Sequence, residues 1–334
     1  MFGSVLKNFL SFFLMLIFVL CLSIWWGVKK FEKPSDHLLE GTFTINAGDS
    51  FNTIVKNLYD KNFIDNPYIF KLAVIIRKSH KKLKYGEYEF PERASMNEIL
   101  TFIVDGETKV YKLVIPEGFS NYQISERLRS EQLLSGSINT LLAEGSYAPQ
   151  TYLFSKGDKR DNLLTLMVEK QSIILDQAWK NRVIGLPLKN KYEALILASI
   201  IEEEASLIEE QKIIASVFLN RLKNKMRLQA DPTVIFGITK GEYSLGRGLF
   251  RNELNQFTPW NTYRIKGLPP TPISNPGKSA IKAVTQPAIT DFLYFVADGK
   301  GGHWFAKSNE EHNKNVKKWR EIEKKRDNKV NECL

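Results

Sequence analysis

The chain begins with an unbroken apolar run. The segment "FLSFFLMLIFVLCLSIWWGV", Phe9–Val28, holds twenty residues without a charge, enough to cross a hydrocarbon layer of about 30 Å as a helix. Trp25 and Trp26 lie at its far end, where aromatic belts form at membrane surfaces. No small-x-small cleavage site follows, and the residues before Cys21 are bulky. The pattern therefore predicts an uncleaved anchor, preceded by a short tail at residues 1–8, rather than a signal or lipoprotein peptide.

Beyond the anchor, strand-like and helix-like periods alternate. "TINAGDSFNTIVKNL" and "LVIPEGFSNYQISERL" superpose at an offset of 70, with Gly48 on Gly118, Ser50 on Ser120, Ile54 on Ile124 and Leu58 on Leu128. Each reads as a short strand, a glycine turn, a serine N-cap and an amphipathic helix. That order suits LysM-like units, a small glycan-gripping fold, and it also suits chance agreement on a common βα start. Between the copies, "KYGEYEFPERASMNEIL" predicts a strand, a turn and a helix, and "TKVYKLVI" a strand with one buried face. Helical periods follow over Leu163–Lys180, over the segment around "LASIIEEEASL", and over "EEQKIIASVFLNRLKNKM". A turn-rich stretch runs from Gly241 to Gly277. The helix "SAIKAVTQP", the strand "FLYFVAD", the glycine turn "GKGGHWF" and a charged terminal helix complete the chain. The fold class expected is α+β: a transmembrane helix at 9–28, a LysM-like βα subdomain at 38–110 and a mixed α/β domain at 111–334.

Composition narrows the function. Apolar residues make up 43% of the 334, and aromatics 12%, so a core can form and disorder is not expected. The net charge of +10 suits a polyanionic neighbour. There is no zinc-finger spacing, RNA-binding aromatic signature or arginine block, which argues against nucleic acid. Cys21 and Cys333 are the two cysteines and are placed too differently to bridge. Four histidines without ligand spacing point to no metal. No Walker loop, dinucleotide glycine pattern or nucleophile elbow is present. By elimination, an enzyme here relies on carboxylates.

The acids that interrupt an apolar helix are Glu202, Glu203 and Glu204. On a helix from Tyr192 to Ile208, Leu195, Ala198, Ile201 and Ala205 fall on the side of Glu202, while Glu203 and Glu204 turn toward Glu193. A desolvated carboxylate has a raised pKa, as a general acid near neutral pH requires. The same position suits a structural pair with Arg221, and periodicity leaves the two roles level. Other polar residues in apolar or turn-rich surroundings are Asn220, Gln229, Asp231, Asn261, Thr262, Tyr263 and His303.

The motifs "LASIIEEEA", "ASVFLNRL", "MRLQADPTVIFGI", "WNTYRIKGLPPTPISNPG" and "LYFVADGKGGHWF" occur in this order. The chain thereby resembles the YceG-like endolytic murein transglycosylase (MltG) family, from the anchor to the last helix. The resemblance implies cleavage of the β-1,4 bond from N-acetylmuramic acid to N-acetylglucosamine in nascent glycan strands, with a 1,6-anhydro product. It places the catalytic acid on Glu202 and a second acidic position on Glu204, and makes 111–334 the catalytic domain. Asn220, Gln229, Asp231, Asn261 and Tyr263 become candidates to hold the strand. The partners implied are peptidoglycan glycan strands, peptidoglycan synthases and the inner membrane, crossed once, with no cofactor. The body is expected in the periplasm, although Lys29, Lys30 and Lys33 after the span outnumber Lys7 before it and would by count favour a cytoplasmic body. A hydrolytic muramidase and a non-catalytic LysM-type glycan-binding anchor are the competing readings.

Overall fold

The computed structural model describes residues 2–332 other than 37, 40 and 206. Cys333 lies outside them, and Cys21 is exposed and unbridged. The chain divides into two compact units. One runs to Tyr111 and takes in Leu153–Gly157; the other comprises Lys112–Tyr152 and the chain from Asp158 onward.

The first unit opens with α1 (Phe2–Glu32). Its segment Phe9–Glu32 is long and apolar enough to cross a membrane, and its most apolar window is entirely unburied. At its end α1 enters the unit's core, where the buried Phe31 ring lies 6.5 Å from Phe70. Strands β1 (Phe43–Ile45) and β2 (Gly86–Tyr88) pair antiparallel, with Phe43 opposite Tyr88. Helix α2 (Phe51–Asp60) starts at Ser50, whose side chain accepts the Thr53 N–H. Helix α3 (Pro67–Ile76) starts at Asn66, which accepts from Tyr68 and Ile69, with proline in the first turn. The sequence reading did not anticipate α3, because apolar residues on every side leave no period to detect. Helix α4 (Met96–Asp105) carries a reciprocal Ser95–Glu98 capping box and ends on Gly106 at φ 75°. The core gathers Phe43, Phe63, Tyr88 and Phe90 around Val55, Leu58, Ile99 and Ile103.

Strands β3 (Val110–Val114) and β4 (Thr151–Ser155) form a two-stranded ribbon. Between them in sequence lies α5 (Asn121–Ser130), begun by Ser120 and Gln123 in a second capping box. The offset-70 pattern is thus realised locally. Gly48 and Gly118 both have positive φ, 93° and 81°, and Ser50 and Ser120 both cap helices.

The second unit continues with α6 (Arg160–Lys180), α7 (Lys191–Glu204), α8 (Ile208–Lys223), α9 (Asp231–Thr239), α10 (Arg251–Asn255) and α11 (Lys278–Thr285). The antiparallel pair β5 (Tyr294–Ala297) and β6 (His303–Ala306) and the terminal α12 (Asn309–Glu332) follow. Neither α9 nor β6 was expected. The helix expected over 192–208 stops at Glu204, with Ala205 already extended. Nor does α7 have one apolar face: every residue from Ala194 to Ile201 is buried, with α6, α8, α9 and α11 packed around it. A helix buried all round is the core of its unit.

Removing an N-cap hydroxyl costs about 1 kcal/mol. Ser50→Ala is expected to show that loss in chemical denaturation. Ser120→Ala should lose more, because its hydroxyl also donates to the Gly241 carbonyl at 2.6 Å. Equal losses would mean that this second bond contributes nothing.

Candidate active site

The last turn of α7 carries Glu202, Glu203 and Glu204, at the helix end where the macrodipole disfavours negative charge. The proline-rich segment before α11 is fastened along the same helix. The Ile273 N–H donates to Ser199 Oγ at 3.0 Å, Ser274 Oγ donates to the Ser199 carbonyl at 3.3 Å, and the Gly277 N–H donates to Glu202 Oε2 at 2.8 Å. Ser199 and Glu202 stand one helical turn apart, so the strap and the helix end are held in register.

Asn275, fully buried, ties this strap to the segment leading into α5. Its Nδ2 donates to the Phe119 carbonyl at 2.8 Å and to Asn121 Oδ1 at 2.9 Å, and its Oδ1 accepts from the Tyr147 N–H at 2.9 Å. Its backbone exchanges bonds with Gly118 and Phe119, at 3.1 and 3.0 Å. Two more acids thereby join the cluster. The Glu117 carboxylate packs over Gly277 so closely that a Cβ there would lie 1.8 Å from Oε1. A Cβ on Gly118, at φ 81°, would meet Glu203 Oε1 at 2.8 Å. The missing side chains of these two glycines leave the room that the carboxylates occupy. Nearby, both oxygens of Glu144 accept from the Asn121 N–H, at 3.0 and 3.1 Å.

Burial sets the protonation of this group. Glu202 is half-buried, and its pKa is pushed up to about 7 by desolvation first; the Gly277 N–H opposes the rise, and the charges of Glu117 and Glu203 add to it. Desolvation likewise raises Glu144 to about 7 against the Asn121 hydrogen bond. Glu203 keeps an open edge to solvent, yet the protein packed around its carboxyl raises it too, against a hydrogen bond from Ser274. Glu204 is pushed highest, to about 8, by burial and then by Asp231, with Arg221 and the Asp231 N–H opposing.

Glu204, Asp231, Tyr263 and Arg221 form a second group beside the first. The Tyr263 hydroxyl donates to Asp231 Oδ1 at 2.6 Å, and burial followed by that bond holds its pKa well above the usual phenol range. Arg221 donates to the carbonyls of Leu293 at 2.7 Å and Leu228 at 2.6 Å. Its charge acts on Glu204, so the sequence-level alternative of a Glu202–Arg221 pair is not what the fold builds. The expectation that Glu203 and Glu204 turn away from apolar surroundings is corrected for Glu204, whereas Glu203 is exposed. Because α7 is enclosed on all sides, Glu204 meets dense protein where a surface helix would offer water.

The remaining candidates lie in the frame. Both Nδ2 protons of Asn220 go to the carbonyls of Thr290 and Phe292, at 2.8 and 3.0 Å. Those of the fully buried Asn261 go to Leu254 and Gln256, at 3.1 and 2.6 Å. Gln229 is exposed, with φ 51° and its N–H on the Thr262 carbonyl at 3.3 Å. Thr262 is buried and bonded to Thr233 at 2.8 Å. His303 meets Glu210, Nδ1 to Oε2, at 2.6 Å. Sequence reasoning missed Glu117, Glu144, Ser199, Asn275 and Gly277.

Residues 43–318 match the YceG-like family. The chain belongs to that family. It is 30% identical over 328 residues to the endolytic murein transglycosylase of Bacillus subtilis (strain 168), covering 87% of this chain and 88% of that one. The protein of the same name from Streptococcus pneumoniae (strain D39) is 26% identical over 321 residues, which cover 82% of this chain and 57% of its own length. The 2.6 Å crystal structure of a yceG-like protein from Listeria monocytogenes is 33% identical, with a TM-score of 0.51, over 82% of this chain and 98% of that one.

A carboxyl whose folded pKa is raised binds more protons folded than unfolded, so its contribution is whole below the unfolded value of 4.5 and is lost as pH rises through the folded value. For Glu204 the window runs from 4.5 to about 8. Stability of the second unit should therefore fall across that range. Glu204→Gln should flatten the profile by on the order of 1–3 kcal/mol at its upper end, read from denaturation midpoints at several pH values. A variant profile parallel to wild type would show that Glu204 is not the group responsible.

Proposed function

We propose that this chain cuts the β-1,4 bond from N-acetylmuramic acid to N-acetylglucosamine in nascent glycan strands, leaving a 1,6-anhydro end and terminating strand growth. Its family makes it a lytic transglycosylase, and peptidoglycan is the substrate that its relatives' name, endolytic murein transglycosylase, indicates. The observation that carries the chemistry is one half-buried carboxyl, Glu202, with a pKa near 7, a single backbone donor and two further acids against it.

Ordinary glycosidases divide the work between two carboxyl groups. Here the second nucleophile belongs to the substrate. Glu202, protonated, donates its proton to the glycosidic oxygen as the bond from C1 to that oxygen breaks. The carboxylate so formed accepts the proton of the muramic sugar's 6-hydroxyl as that oxygen bonds to C1 and closes the anhydro ring. No water is consumed, and the attack is intramolecular. The Gly277 N–H steadies the carboxylate in its charged interval, and Glu117 and Glu203 favour its return to the acid form. To holding the strand we assign Glu204 with Asp231 and Tyr263, which share a hydrogen bond, and Gln229, exposed two residues before Asp231. Asn220 and Asn261 act on the strand indirectly, through the backbone segments they fix.

In this reading α1 anchors the protein in the inner membrane in a single pass, with the body on the outer, periplasmic side beside nascent strands and their synthases. The first unit takes the LysM-like, glycan-gripping role and the second the catalytic one.

Glu202→Gln should fold as wild type and lose about 10²–10⁴-fold in turnover, and wild-type activity should decline as pH rises past about 7. Mass spectrometry of digested, uncrosslinked strands should find anhydro ends. Reducing ends would instead assign a muramidase. Binding without turnover, unaltered in Glu202→Gln, would assign a glycan-binding anchor.

A further inference from the structure

Helix α3 in the first unit is apolar on two opposite faces, and only one of them is used. Phe70 and Val74 are fully buried. On the other side Tyr68, Leu72, Ile75 and Ile76 are 80%, 60%, 56% and 70% exposed. Their spacing of four, three and one residues sets them in one stripe. Four large apolar side chains in a contiguous exposed stripe mark an interaction surface.

The chain directly after the stripe is basic. Between Asp65 and Glu87 there is no acid, and there are six fixed positive charges: Lys71, Arg77, Lys78, Lys81, Lys82 and Lys84. Arg77 is engaged with Asn97 and the Phe31 ring, and Lys84 with the Asp105 carbonyl. Lys78, Lys81 and Lys82 are exposed, and no ion pair holds them among the described residues.

The position of α3 identifies what covers the stripe. Its buried side packs on the end of α1, with Phe70 6.5 Å from Phe31 and the Arg77 guanidinium 5.1 Å from the same ring. Phe31 lies five residues past Trp26, a rise of about 7.5 Å along a helix. The headgroup layer beyond the hydrocarbon is about 5–8 Å thick, and a helix with its side chains is about 10–12 Å across. A helix docked at Phe31 therefore sits at the height of the headgroups whenever α1 spans a bilayer.

We infer that α3 and the basic segment 77–84 form a membrane-surface site for anionic phospholipid, with Tyr68, Leu72, Ile75 and Ile76 in the headgroup–acyl boundary and Lys78, Lys81 and Lys82 on lipid phosphates. The apolar stripe supplies burial and the lysines supply attraction, the combination that holds interfacial helices in place. The first unit is thereby held against the bilayer at a second point beside its anchor. This rests on α1 being a membrane anchor and is independent of the chemistry at Glu202.

The full chain, with Cys333→Ser, is spin-labelled either at the native Cys21 or, with Cys21→Ser added, at Leu72→Cys or Ile76→Cys. It is then reconstituted into phosphatidylcholine vesicles with or without phosphatidylglycerol. Collision of the label with oxygen and with a water-soluble nickel chelate reports its depth. The Cys21 label should lie deep in both lipids. At positions 72 and 76 nickel collision should fall several-fold in phosphatidylglycerol, and Lys78→Glu/Lys81→Glu/Lys82→Glu should restore it. Labels at 72 and 76 that remain as nickel-accessible as in water, with Cys21 deep, would overturn the inference and leave the anchor intact. Lipid-independent shielding with spin–spin broadening would assign the stripe to a second copy and also overturn it. A nickel-accessible Cys21 would remove the anchor and the inference together.

Discussion

Negative charge is crowded where the fold tolerates it least. Glu202, Glu203 and Glu204 occupy the last turn of a helix that is buried from Ala194 to Ile201, and Glu117 is brought over Gly277 beside them. Desolvation, the helix end and mutual repulsion all oppose ionisation. Against them stand a few backbone donors and the Arg221 charge. Desolvation is the larger effect for Glu202, Glu203 and Glu204: it raises all three, carrying Glu202 to about 7 and Glu204 to about 8.

That balance needs the strap as much as the helix. Ser199 and Glu202 receive the segment from Ile273 to Gly277 at successive points, and Asn275 locks it to the approach of α5. Prolines at 269, 270, 272 and 276 keep this segment out of a helix and remove donors it would otherwise have to satisfy. A rigid strap of this kind holds the Glu202 carboxyl in place, the preorganisation that the acid role proposed for it requires. Stability is spent there: buried acids are a liability at neutral pH, and the surrounding apolar core of α6, α8 and α11 carries the cost.

Much of this was readable from sequence where a period was broken or a cap announced. The acids after "LASII" stood out because apolar neighbours surround them, and Ser50 and Ser120 capped helices as their glycine turns suggested. Helices α6, α8 and α11 followed from periodicity. What stayed hidden depends on distant chain segments meeting. Glu117 reaches Glu202 through Asn275, whose bond to Phe119 spans 156 residues, and no local pattern encodes that. Asn220 and Asn261 were conspicuous as polar residues, but their amides answer backbone carbonyls, a need that only the folded loops create. The strand β6 was passed over because its glycine turn dominates "GKGGHWF", although pairing with β5 decides its structure. The substrate class proposed for the chain comes from its relatives' name, endolytic murein transglycosylase. Desolvation at the end of α7 is the physical reason why Glu202 suits the acid role proposed for it.

The protonation of Glu202 is therefore the quantity on which the account turns. Infrared difference titration of wild type against Glu202→Gln isolates its carboxyl band directly. A protonated band should persist at neutral pH and disappear with a midpoint near 7. A midpoint near the ordinary value of 4.5 would mean that Glu202 is ionised at work, and would contradict its role as the acid.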